Sequence, residues 1–229
     1  MYAGILTIVC GGILAVASEG LKEKQQFNID MEQKKNILST VVSVEEGVDI
    51  NDLYLKKVRA FVVDFDGNVK EGMQPKDVNL AVEYKKPAEQ RLLPVYEFKK
   101  ESDSTQTEYV VLPVYGYGLW NNIWGFVALK SDLNTIQGVK FQHAGETPGL
   151  GARIESDQDV QDRYKGKTIY DDGKLVSITM MKGEGNDYSE NPHRVDGLSG
   201  ATLTAKGVNN MLVDYFQAYE NYLKKKKEN

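Results

Sequence analysis

The sequence predicts an α+β protein: a mixed or antiparallel sheet with packed helices, carried on a single N-terminal transmembrane helix. Three observations predict it. Segments rich in β-branched and aromatic residues recur between turn signals through the middle of the chain. The C-terminal segment carries helical periodicity, and the chain opens on a long uncharged run. Strands followed by a closing helix suit an α+β layer arrangement, whereas βαβ units would alternate the two.

Ala3 to Ser18 reads AGILTIVCGGILAVAS, with no charge before Glu19. That is about 16 apolar or small residues against the roughly 20 that cross a bilayer; Met1 and Tyr2 extend it. Three readings stand beside each other: a membrane span, a signal peptide and a buried helix. Ala15-Val16-Ala17 has the small residues of a cleavage site, but no basic segment precedes the run. Lys22 and Lys24 follow it, so charge bias alone places the next segment in the cytoplasm. Glu19 to Asn36 is charged and reads as the same helix leaving the membrane.

Val58–Phe65 reads as a strand closed by the turn Asp66-Gly67-Asn68. Pro75–Arg91 is polar and irregular. Leu92–Phe98 resumes strand character, and Lys99–Thr107 reads as a charged loop. Tyr109–Tyr115 and Ile123–Leu129 are further strands, joined through Gly116-Tyr117-Gly118-Leu119-Trp120. Leu133–Gln142, interrupted by Gly138, is another, and a short helical stretch follows Gly151. Leu175–Met181 is predicted as the last strand. Val208, Met211, Leu212, Tyr215, Phe216, Tyr219 and Tyr222 then recur at spacings of three and four, the stripe of an amphipathic helix. Ser199 is its candidate N-cap.

Composition excludes several functions. Net charge is −5, from 28 Lys and Arg against 33 Asp and Glu, and the one basic run, Lys224–Lys227, suits a solvated helix end. Nucleic acid is therefore not expected as a partner. One cysteine, Cys10, cannot make an intrachain disulfide or by itself supply the ligands of a Cys-ligated iron–sulfur cluster. His143 and His193 lack metal-ligand spacing, and no Ser-His-Asp arrangement is evident. No catalytic residue and no metal site is assigned, so any redox work would fall to an organic cofactor.

One stretch carries chemistry. Asp196-Gly197-Leu198-Ser199-Gly200-Ala201-Thr202-Leu203-Thr204 sets two glycines and small side chains just before a helix start. Such a backbone bends tightly and approaches a ligand closely, and the free amides of a first turn favour an anion. On the residues alone this is either an anion site or a capped helix after a glycine turn.

The pattern Asp-x-x-Ser-Gly-Ala-Thr at Asp196–Thr202 resembles the acceptor motif of flavin transferases. Gly145-Glu146-Thr147-Pro148-Gly149-Leu150-Gly151-Ala152 is similar to the flavin-embracing loop of the covalent FMN-binding domain family. The resemblance extends over nearly the whole chain. Lys34-Lys35-Asn36-Ile37-Leu38 and Gly118-Leu119-Trp120 favour the C subunits of sodium-translocating NADH:quinone reductases over the related G subunits of Rnf complexes.

It implies FMN joined by a phosphoester bond to Thr202, not Thr204. Ser199, Gly200, Ala201 and Asp196 would shape the turn, and Glu146, Thr147, Gly149, Leu150, Gly151, Leu119 and Trp120 would line the cofactor. It further implies a flavin transferase for maturation, and a soluble domain on the periplasmic side of the cell inner membrane, against the lysine bias. The neighbours would be a flavin subunit and iron–sulfur-bearing membrane subunits. The expected division is a span at 1–20, a membrane-proximal part at 21–105, an FMN-binding domain at 106–223 and a charged tail at 224–229. A reversible phosphate-ligand module and a cofactor-free scaffold protein remain the alternatives.

Overall fold

The computed structural model describes residues 2–45 and 47–228. The proposed extension of the apolar run to Met1, and the last tail residue Asn229, lie outside the described residues.

The chain opens with α1 (Tyr2–Ser39), one continuous helix of 38 residues. Residues 2–30 are exposed along its whole circumference, and the helix meets the rest of the protein only from Met31 onward. An 18-residue window of it has mean hydropathy 1.8 and no buried residue, so it is long and apolar enough to cross a membrane. The helix α2 (Ile50–Lys57) follows, capped by the Asp49 carboxylate, which accepts from the Asn51 and Asp52 amides.

The sheet is a five-stranded antiparallel meander in chain order: β1 (Val58–Val63), β2 (Leu93–Lys100), β3 (Asp103–Tyr117), β4 (Asn122–Lys130) and β5 (Ile136–His143). Alternation along each strand explains why it has two covered faces. Val95, Val110, Leu112, Val114, Val127 and Phe141 point to one core. Tyr96, Phe98, Val111, Phe126 and Ala128 point to the other. The first core is closed by the terminal helix, called α6 below; the second by Ile37 and Leu38 of α1 together with α2.

Segment 75–91 is not irregular throughout. It forms short helical turns, among them α3 (Leu80–Glu83), whose Glu83 carboxylate accepts from the Leu92 amide. Two more short helices, α4 (Arg153–Ser156) and α5 (Gln158–Asp162), match the helical stretch expected after Gly151. The last helix, α6 (Thr202–Glu228), has 27 residues and ends in the lysine run. Tyr219 anchors it, donating to the Pro94 carbonyl at 2.7 Å.

Several expectations are corrected. Lys99–Thr107 is a β-hairpin, because β2 and β3 pair beyond the core with their polar side chains in solvent. The strand expected at Leu133 begins at Ile136, since Asp132 accepts from the Asn134 and Thr135 amides and makes a turn there. Leu175–Met181 is not one strand. Ser177 has φ +62°, which breaks it into two-residue ladders, β7 (Lys174–Leu175), paired with β6 (Tyr170–Asp171), and β8 (Thr179–Met180), which runs parallel to β9 (Arg194–Val195). Ser199 is not the N-cap. Gly200 has φ +72°, outside helical geometry, so the helix starts only at Thr202. The division at 105/106 falls inside β3, and both parts share one sheet.

Candidate functional site

Three segments converge at one end of the sheet: the β3–β4 loop 118–121, the segment 144–152 after β5, and the turn 196–201 that enters α6. A buried carboxylate joins them. Glu146 is 4% exposed. Its Oε1 accepts from the Trp120 amide at 2.9 Å, and its Oε2 accepts a short hydrogen bond from the Thr204 hydroxyl. Its own amide donates to His143 Nδ1 at 3.2 Å, at the end of β5. A buried carboxyl group needs partners of this kind, since a polar group left unpaired in the interior costs about 1–3 kcal/mol or more.

Two glycines make the approach possible. A Cβ on Gly118 would lie 2.5 Å from Glu146 Oε1, and one on Gly151 would lie 2.4 Å from Thr204 Oγ1 and 2.6 Å from Glu146 Oε2. Side chains at either place would push the carboxylate off its partners.

The acceptor turn is held from behind by charge. Arg163 donates to the Gly197 carbonyl at 2.7 Å and to the Asp196 carbonyl at 3.3 Å. Glu184 accepts from the Ser199 amide at 3.0 Å and from Arg153 at 2.7 and 2.9 Å. Arg153, helped by the Ser199 amide, holds the Glu184 carboxyl at about 2, well below the usual carboxylate range. The Asp196 carboxylate accepts from the Gly185 amide at 2.7 Å and from Asn186 at 3.3 Å, so it does organise its turn.

What this framework presents is a contrast between two threonines. Thr204 is 1% exposed and spent on Glu146, whereas Thr202, two residues earlier and so on another face of the helix, is exposed. Leu203 follows it in the helix, and Leu119, Trp120 and Leu150 on the two converging loops are likewise exposed apolar side chains. Leu150 is the nearest side chain to Gly200, where a Cβ would meet its Cδ2 at 2.8 Å. Trp120 is 69% exposed and its indole N–H donates to Thr147 Oγ1 at 3.2 Å. Gly149 has φ +74° with open space beside it.

Sequence reasoning brought most of these residues to one place. It missed the Thr204–Glu146 bond and the Arg153, Arg163 and Glu184 brace, and no local pattern marks them. Trp124 in β4 is half-buried, packs against the core and donates to Gln142 at 2.8 Å. Lys206 and Arg194, the cations nearest in sequence to the motif, are exposed.

The FMN-binding domain family matches residues 118–217, a span that contains all three converging segments. The fold and site thus define an FMN-binding flavoprotein. The C subunit of Na(+)-translocating NADH-quinone reductase from Haemophilus ducreyi is 34% identical over 227 residues, covering 93% of this chain and 86% of the relative. That from Pseudomonas aeruginosa is 33% identical over 93% of this chain and 88% of the relative. The crystal structure of the corresponding protein from Parabacteroides distasonis superposes with a TM-score of 0.76 at 31% identity, covering 89% of this chain and 96% of that one. The chain belongs to the family of C subunits of Na(+)-translocating NADH-quinone reductase, and is a flavoprotein component of that oxidoreductase.

FMN fits the residues present. A first helical turn leaves amides without intrahelical acceptors, suited to a phosphate. An exposed hydroxyl stands in that turn, and the exposed apolar side chains of Leu203 and of Leu150, which lies against Gly200, suit a flat aromatic ring.

Proposed function

We propose that this chain is a membrane-anchored electron carrier in which FMN is held covalently, through its phosphate, on Thr202 Oγ1. The observation that carries the reading is the exposed Thr202 beside the buried, occupied Thr204, within a motif resembling that of flavin-transferase acceptors. When bound, the FMN supplies one- and two-electron redox chemistry.

The chain's own residues divide the remaining work. Thr202 provides the oxygen of attachment, and the first amides of α6 face the phosphate. Ser199, Gly200 and Ala201 form the turn that leaves the hydroxyl unobstructed, and Asp196 secures its start. Trp120, Leu119 and Leu150 offer apolar surface to the ring, with Thr147 fixing the indole, while Gly149 and Gly151 keep the loop close. Glu146 acts from behind, holding the three segments in register.

In this reading 1–20 crosses the cell inner membrane, 21–105 and 106–223 form the periplasmic domain, and 224–229 is a solvated tail. Electrons pass between iron–sulfur-bearing membrane subunits and a neighbouring flavin subunit of a sodium-pumping NADH:quinone oxidoreductase. A flavin transferase matures the chain.

The test is to export the chain with an active flavin transferase, denature it and read flavin fluorescence on the gel band. Thr202→Ala is expected to abolish the signal. Thr204→Val is expected to keep it while losing about 1–3 kcal/mol of stability, because Glu146 is left short of a partner. The reverse pattern would overturn the assignment.

A further inference from the structure

The way α1 is fastened to the sheet determines which end of the domain faces the membrane. Glu32 Oε1 accepts from Gln142 Nε2 at 3.0 Å, near the C-terminal end of β5. Eight residues later the Thr40 carbonyl lies against Gly138, where a Cβ would come within 2.4 Å of it. The docked part of α1 therefore runs antiparallel to β5. Gln142 pairs with Trp124, and its neighbour His143 pairs with Ile123, beside the loop that carries Leu119 and Trp120. Followed back toward its N-terminus, α1 leaves the sheet at the end that carries the Thr202 site.

The segment between the apolar run and this docking is built as a spacer. Leu21 to Met31 contains neither glycine nor proline and is rich in Lys, Glu and Gln, good helix formers on a solvated surface. Lys22 pairs with Glu19 at 3.4 Å, and Gln26 donates to Asp30 at 2.9 Å. No side chain from 2 to 30 is buried, so helical stiffness alone carries this part. At its far end rotation is locked. Ile37 and Leu38 are buried, Gln33 donates to the Tyr96 hydroxyl at 3.3 Å, and Lys34 donates to Asn51 at 2.6 Å.

We infer that residues 19–31 are a rigid ruler that turns the Thr202 edge toward the membrane and holds Glu32 roughly 20 Å from the end of the apolar run, at 1.5 Å per residue. This rests on the reading of α1 as a membrane anchor. The partner surface it implies is the membrane-embedded part of the complex, approached edge-on by the site. The opposite end of the sheet carries the β2–β3 hairpin at Ser102.

The experiment uses the full chain, with Cys10→Ser, in lipid vesicles with an energy-transfer acceptor on the headgroups. A donor dye is placed at Lys206→Cys, one turn beyond Thr202, or at Ser102→Cys, both exposed positions. The strand β3 has 15 residues, so the two ends of the sheet lie roughly 40–50 Å apart. Transfer is expected to be roughly threefold or more stronger from position 206 on that separation. Replacing Lys24, Gln25 and Gln26 together by glycine is expected to bring the two positions toward equality. Equal or reversed transfer with the native stalk overturns the ruler, as does a preference unmoved by the three glycines. A chain that fails to float with the vesicles refutes the anchor itself, and the ruler with it. None of these readings requires attached flavin.

Discussion

Glu146 organises the site from a buried position. Its two oxygens and its amide reach three segments, and the partner hydroxyl on Thr204 is 58 residues away in sequence. That distance is why the bond was illegible in the sequence, although the acceptor motif two residues away was plain. Glycines gave a faint sign, since Gly118 and Gly151 are the positions where a Cβ would strike the carboxylate. Gly151→Ala is expected to cost about 1–3 kcal/mol, the usual penalty of overpacking, in chemical denaturation of the soluble domain.

Glu184 contributes to the acid limb of stability. Its carboxyl is held at about 2 in the folded protein, against an ordinary value near 4.5. A depressed carboxyl contributes stability that is fully present above its unfolded value and is lost as pH falls through its folded value. Unfolding midpoints should therefore drop between roughly pH 5 and pH 2, and Glu184→Gln should flatten that part of the curve.

Among the elements, α6 shows two opposed effects. Gly207 sits within the helix, where alanine would ordinarily gain about 1 kcal/mol in propensity. Here a Cβ would lie 2.3 Å from the Tyr117 carbonyl, which is backbone and cannot swing away. The clash is expected to win, so Gly207→Ala should lower the melting temperature and loosen the helix from the loop that carries Leu119 and Trp120. Thermal unfolding checks the sign. A rise in stability would show that β3 yields.

The periodicity of α6 and the alternation in β1 to β5 were readable because burial imposes them on residue type. Lys99–Thr107 was not, because its strands extend past the core and carry no apolar face. The break at Ser177 was hidden for a different reason. Its neighbours are β-branched and apolar, and only the fold demands φ +62° there.

For the whole molecule, the sheet is a plate with α6 on one side and the end of α1 on the other, and in the ruler reading the site lies on its membrane-facing edge. The apolar opening run was legible as a candidate span from composition alone. How the helix docks was not, because Glu32–Gln142 and Gln33–Tyr96 join residues 110 and 63 positions apart. Family membership accounts for the presence of an FMN-binding domain. The covalent link to one threonine goes beyond it.

Mass mapping tests that link most directly. Trypsin cleaving after Arg194 and Lys206 releases Val195–Lys206, which contains both Thr202 and Thr204. Protein matured with an active flavin transferase should yield this peptide heavier by one FMN minus water, with fragment ions placing the added mass on Thr202. An unmodified peptide, or the mass on Thr204, would contradict the account.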